Sequence, residues 1–179
     1  MRYLLTLLAI SLAVTVHAQK VEISADSKIT FSLKNMGWNT VEGSFSSPSG
    51  YVQFNNGQLV GAHGCVEVVS VQTGNSLRDK HLREKEEFFH IEEFPELCFT
   101  SSDVSIVRNS SGQTLYKLEG SLTLRGVSKP LEFEFVEQAG GTLIGTCTVD
   151  RSLWGLGEGY SNFIIAQNID VRVELHLNE

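Results

Sequence analysis

The side chains able to do chemistry are few, and their spacing does not suit it. Beyond residue 18 the histidines are His63, His81, His90 and His176, and none stands in HExxH or another strong zinc spacing. His63-Gly64-Cys65 offers two potential ligands without an evident third or fourth, so no metal site is assigned. Glu84, Glu86, Glu87, Glu92 and Glu93 form an acidic cluster interrupted by Lys85. Paired carboxylates run acid–base chemistry only where their surroundings split their pKa values, and this cluster reads instead as a solvated face. There is no GxSxG, and no Cys/His pair has catalytic spacing. Cys98 falls on the opposite face from Leu97 and Phe99, whereas Cys147 shares the parity of Leu143 and Val149. Those two should therefore not bond to each other. Buried free thiols are the expectation, although an oxidising compartment would permit a disulfide. No catalytic residue and no cofactor is assigned, and the chain does not read as an enzyme.

Composition narrows the classes further. The chain has 179 residues, 41% hydrophobic and 20% charged, which is too apolar for a disordered protein. Lys+Arg numbers 14 against 21 Asp+Glu, a net charge of −7. An acidic chain without a basic run excludes nucleic acid and anionic membrane surface as primary partners. Three cysteines are too few for a disulfide scaffold. Arg2, the apolar run Tyr3 to Val16 and the small residues of Val16-His17-Ala18 predict a secretory signal peptide over 1–18, cleaved after Ala18. That run is shorter than the roughly 20 residues of a membrane span, and no later stretch predicts a transmembrane segment. Residues 19–179 read as one domain, periplasmic or secreted.

The remainder is strand almost throughout. Ile29, Phe31 and Leu33 alternate with polar residues, as do Tyr116, Leu118, Leu122 and Leu124, then Leu131, Phe133 and Phe135, then Ile169, Val171, Val173, Leu175 and Leu177. Weaker strands are expected over Val41–Ser46, Tyr51–Phe54, Cys65–Val71, Leu97–Val107 and Thr142–Arg151. Turn signals separate them: Ser47-Pro48-Ser49-Gly50, Asn55-Asn56-Gly57, Asn109-Ser110-Ser111-Gly112 and Ala139-Gly140-Gly141. Short connections between strands with one apolar face predict an antiparallel sheet, and closing it removes vulnerable edges. A sandwich shows the same alternation. From Thr73 to Arg83 the alternation stops. Ser76, with Asp79 three residues on, is a capping-box signal for a helix starting at Leu77 and ending before Phe88-Phe89.

Several spaced blocks resemble the YceI-like family of exported lipid-binding proteins. They are Thr73-Gly74-Asn75 with Arg78-Asp79, His81-Leu82 and Phe88-Phe89, then Phe94-Pro95 and Phe99-Thr100-Ser101, then Gly120 to Pro130, and finally Asp150-Arg151 with Trp154-Gly155. The resemblance spans about Ile23 to Leu177. One departure is Asn35-Met36-Gly37, where many members carry a His. The resemblance implies an all-β fold, an antiparallel lipocalin-like β-barrel of about eight strands with a short helical lid insertion. It also implies an isoprenoid-type lipid, a polyisoprenoid or isoprenoid quinone, enclosed in the barrel.

The apolar strand faces then supply the candidate ligand-binding residues. These are Phe31, Leu33 and Phe45 early in the chain, Leu97, Phe99, Leu122 and Leu124 in the middle, and Phe133, Phe135, Val171 and Val173 late. Leu82, Phe88 and Phe89 are expected to cover one mouth, with Arg78, Asp79 and His81 as its polar rim. There Arg78 holds a polar head group or, in the alternative, Arg78 and Asp79 bond neighbouring loop backbone and anchor the lid. Each buried methylene contributes about 0.8 kcal/mol, so such a wall can hold a long apolar chain with few polar contacts. The same residues would suit a barrel that fills itself, as in a secreted structural or stress protein. An enzyme acting on such a lipid would need a polar catalytic group facing the cavity. Oligomeric state is not encoded in any feature found.

Overall fold

The computed structural model describes residues 18–108, 114–138 and 140–178. The leader expected over 1–18 lies outside the described residues up to residue 17, as do the turn at Asn109-Ser110-Ser111-Gly112 and Ala139. In chain order the elements are β1 (Gln19–Glu22), β2 (Lys28–Asn35), β3 (Asn39–Ser46), β4 (Ser49–Asn55) and β5 (Gln58–Glu67). Then follow α1 (Ser76–Glu84), β6 (Glu96–Arg108), β7 (Thr114–Leu124), β8 (Val127–Glu137), β9 (Leu143–Asp150) and β10 (Asn168–Leu175).

Ten strands form one sheet in the order β1-β4-β5-β6-β7-β8-β9-β10-β2-β3, with antiparallel pairing throughout. The sheet curls until its flanks meet. Beyond β1, the Ser24 amide donates to His176 O at 2.8 Å, and Asn178 N donates to Glu22 O at 3.0 Å, next to an Ile23–Leu177 bridge. On the other flank Ser44 of β3 exchanges two backbone hydrogen bonds with Gln72, at 2.8 and 3.0 Å. The architecture is thus the expected antiparallel barrel-like sheet with a short helix, built from ten strands rather than about eight.

Alternation decides which side chains go inside, because successive strand residues point to opposite faces. On β7 Tyr116, Leu118 and Leu124 are buried while Glu119 is exposed. Two apolar clusters result. Val52, Leu59, Tyr116, Leu118, Leu143 and Leu175 sit in one, and Phe45, Val66, Val68, Val71, Leu124 and Trp154 in the other.

Two local expectations change. The strand expected over Cys65–Val71 instead starts at Gln58, and Val68–Ser70 is a turn of 3₁₀ helix. The apolar run mimics a strand, but Val68 N donates to Pro95 O at 2.8 Å, and both Val68 and Val71 bury where the chain leaves the sheet. Helix α1 starts one residue before Leu77, and its cap is Asn75 rather than Ser76: the Asn75 side chain accepts from the Arg78 amide.

Candidate functional site

Inside the sheet, between the two clusters, lies a cavity of about 500 Å³, within the size range of small-molecule and cofactor sites. Phe31, Leu33, Phe45, Leu97, Phe99 and Leu122 line it, and so do Leu124, Phe133, Phe135, Val171 and Val173. Strand alternation brings these side chains to one wall. Phe31, Leu33, Leu97, Phe99, Leu122 and Val171 point inward yet are only half-buried, so the apolar surface they leave open is cavity surface. The barrel is not filled by its own side chains.

Glycine in the opposing strands makes this space. Phe31 faces Gly43 across β2 and β3, and Phe135 faces Gly145 across β8 and β9. In both pairs the ring occupies the place where a Cβ at the glycine would stand. The rings pack against the wall instead of meeting in the centre. Phe99 and Phe133 form an edge-to-face pair at 5.0 Å, and Phe133 and Phe135 a tilted pair at 5.6 Å.

The segment between β5 and β6 covers one end. Leu82, Phe88 and Phe89 line the cavity and pack on the second cluster. Phe89 meets the Phe45 ring edge-on at 5.8 Å, and Phe88 meets Tyr160 at 5.6 Å. Arg78 and His81 line the cavity as expected, together with Leu77, which is largely solvent-exposed, so the cavity opens beside α1. Asp79 does not join this rim: it is buried and accepts from the Thr73 amide at 2.9 Å and the Thr73 hydroxyl at 2.5 Å. Arg78 turns to the same residue, with Nε donating to Thr73 Oγ1 and Nη2 to Thr73 O, each at 2.7 Å. A buried carboxylate needs such partners, which the capping-box reading of Asp79 did not supply.

Further cavity residues come from the segment between β9 and β10, outside the strands, among them Arg151, Leu156, Tyr160 and Ile165. Arg151 is buried, and its guanidinium donates to Leu156 O, Gly157 O, Tyr160 O, Ile165 O, Ala166 O and Asn162 Oδ1 at 2.9–3.3 Å. Burial lowers its pKa, and the neighbouring Asp150 carboxylate opposes that effect. Asn35 also lines the cavity, and its Nδ2 donates to Ile164 O at 2.6 Å. Ile29 and Ile169 line it as well, and their parity already pointed there.

The cysteines divide differently from expectation. Cys65 and Cys98, directly opposite on β5 and β6, form a disulfide with Cα atoms 4.1 Å apart. Their inward neighbours Val66 and Leu97 pack in the core, so strand alternation turns the bridge to the outer face. The expectation of free thiols overlooked this pair because the register between β5 and β6 is not visible in the sequence. His63 Nε2 lies 3.7 Å from Cys65 Sγ, but the bonded sulfur is no thiolate ligand. Cys147 is a free thiol on the cavity wall, and burial, aided by the Asp170 carboxylate, pushes its pKa up to about 12. The acidic segment is solvated as expected, with Glu84 against Lys80 at 3.8 Å, Glu87 against Lys85 at 3.4 Å and Glu93 against His90 at 3.4 Å.

Known proteins resemble this chain in sequence or in fold. A UPF0312 protein of Yersinia enterocolitica is 37% identical over 108 residues, 59% of this chain and 53% of that protein, so the chain spans about half of that relative's length. A UPF0312 protein of Yersinia pestis is 33% identical over 140 residues, 72% of this chain and 70% of the relative. Among solved structures, BcnA of Burkholderia cenocepacia superposes with a TM-score of 0.73 at 23% identity, covering 84% of this chain and 96% of that one. A polyisoprenoid binding domain from Saccharophagus degradans superposes with a TM-score of 0.67 at 14% identity, covering 89% and 97%. At these identities the two structures share the fold. The YceI-like domain matches residues 21–177, and the chain belongs to that family.

Proposed function

We propose that this is an exported, non-enzymatic carrier or sequestering protein for a long isoprenoid-type lipid, made with a leader over 1–18 and working as one unit over 19–179. The observation that carries the reading is the cavity wall: Phe, Leu and Val side chains turned inward and left partly open. In water this surface is unfavourable at about 25 cal/mol per Å², and a flexible apolar chain removes that cost without polar partners. Asn35, Arg78, His81 and Tyr160 are among the polar residues that line the same cavity, and they offer partners to the polar terminus of an amphiphile. The structural neighbour from Saccharophagus degradans, itself a polyisoprenoid binding domain, supports the class of ligand.

Organic extraction of freshly purified protein, followed by mass spectrometry, tests the reading. An isoprenoid-type lipid near one per chain is the expected result, and its absence from protein isolated with its native membranes overturns the reading. Phe133→Glu places a carboxylate in the cavity, where desolvation costs several kcal/mol, and the extracted lipid should fall accordingly. Retention at the wild-type level in a folded Phe133→Glu protein would show that the cargo lies elsewhere.

A further inference from the structure

We propose that Trp38 and Phe163, with Met36 and Ile164, form a docking surface for a lipid bilayer, beside the mouth of the cavity. Trp38 is 72% exposed, Phe163 56%, Met36 44% and Ile164 36%. Four large apolar side chains from two segments thus face solvent together, where soluble surfaces usually keep such residues scattered. They are held in place rather than trailing. The Trp38 and Phe163 rings meet edge-to-face at 5.8 Å. The backbone beneath is stitched by Met36 N to Ile164 O at 3.2 Å and Ala166 N to Lys34 O at 2.9 Å. Gly37, at φ +74°, leaves room for the Phe163 ring, which a Cβ there would meet at 2.8 Å.

Charge points to the occupant. In a chain that is 20% charged, no charged residue occurs between Lys34 and Glu42 or between Glu158 and Asp170. The surface offers Trp, Phe, Met and Ile among Asn, Ser, Thr and Tyr, the composition that settles at a membrane–water interface. It is continuous with the cavity, since Asn35 and Val41 on one segment and Tyr160 and Ile165 on the other line its wall. A docked bilayer would meet the cavity mouth, so that a cargo lipid moves between them without crossing water. The net charge of −7 makes apolar insertion, not attraction to anionic headgroups, the source of affinity.

This purpose rests on the carrier reading, but the docking does not, and flotation with uncharged phosphatidylcholine vesicles tests it directly. Trp154 is buried with its indole N–H donating to Leu122 O and Val127 O, so Trp38 is the reporter of the chain's two tryptophans. Wild-type protein should float with the vesicles, and brominated acyl chains should quench its emission. Trp38→Phe should keep flotation and lose the quenching. Trp38→Ser combined with Phe163→Ser should partition at least about tenfold more weakly, with the cavity lipid retained. Undiminished flotation of the double variant, binding only to anionic vesicles, or a wild-type dimer that the double variant dissociates would each overturn the proposal. Flotation without any extractable isoprenoid would refute the carrier reading and support the docking surface.

Discussion

The ring of Phe135 fills the place where a side chain on Gly145, its partner across β8 and β9, would stand. This relationship sets the width of the cavity. Because the glycine has no Cβ, a large ring can lie against the wall, and the centre stays open.

Gly145→Val follows directly. Strand propensity favours the β-branched residue, so propensity alone predicts a gain. Packing predicts the reverse, because the ring must be driven inward, at a cost of about 1–3 kcal/mol for an overpacked core site. Thermal melts of the lipid-free protein decide the sign, and a raised Tm would refute the packing account.

Arg78 is tied to Thr73 by two donors, and Asp79 holds the same threonine from the other side. Arg78→Ala should therefore destabilise lipid-free protein by about 1.5–3 kcal/mol, the range for hydrogen bonds from a charged group, and its Tm should fall. Arg78→Lys should recover only part, since an ammonium lacks the planar fork. An unchanged melt paired with weakened lipid binding would make Arg78 a ligand contact instead.

Cys147 should behave as a neutral thiol. Its folded pKa is raised, first by burial and then by Asp170, from 9.0 to about 12. The protonated form is thus favoured by folding: that stabilisation is complete below pH 9 and is lost as the pH rises towards 12. Cys147→Ala should flatten the alkaline loss of stability, and a thiol reagent at pH 8 should label wild-type protein only on unfolding. Rapid labelling of the native protein would contradict this burial.

Most of the wall was legible in the sequence, and for a definite reason. Phe31, Leu122, Phe133 and Val171 lie in strands with one clean apolar face, and a period of two carries inside-or-outside information without any knowledge of pairing. Register does need pairing. That is why the Cys65–Cys98 bridge and the glycine seats under Phe31 and Phe135 were invisible, although every residue involved was in view. Strand β1 was missed for brevity: Gln19–Glu22 has a single partly buried residue, Val21. Tyr160 and Ile165 lie in irregular backbone with no period to betray them, and Arg151, expected at the end of a strand, instead opens a turn of 3₁₀ helix. Asp79 was open to three readings, a capping-box residue, a rim group or an anchor to loop backbone, and spacing along a helix cannot choose among them.

The disulfide spans 33 residues of sequence and closes the excursion that carries α1. Chain-entropy reasoning assigns about 3–4 kcal/mol to a loop of that length. Cys65→Ala with Cys98→Ala should lower stability by that order without emptying the cavity, because the bridge faces outward. Denaturant titration with and without reductant measures it, and equal midpoints would show that the bridge adds nothing.

One guanidinium, Arg151, gathers acceptors from Leu156 to Ala166. That stretch contributes Tyr160 and Ile165 to the cavity and Phe163 and Ile164 to the exposed aromatic surface. Genetically, such an arrangement is pleiotropic. A lesion at position 151 cannot be confined to cargo, to surface or to folding, since all three inherit their shape from the same side chain, and its revertants should restore all three together.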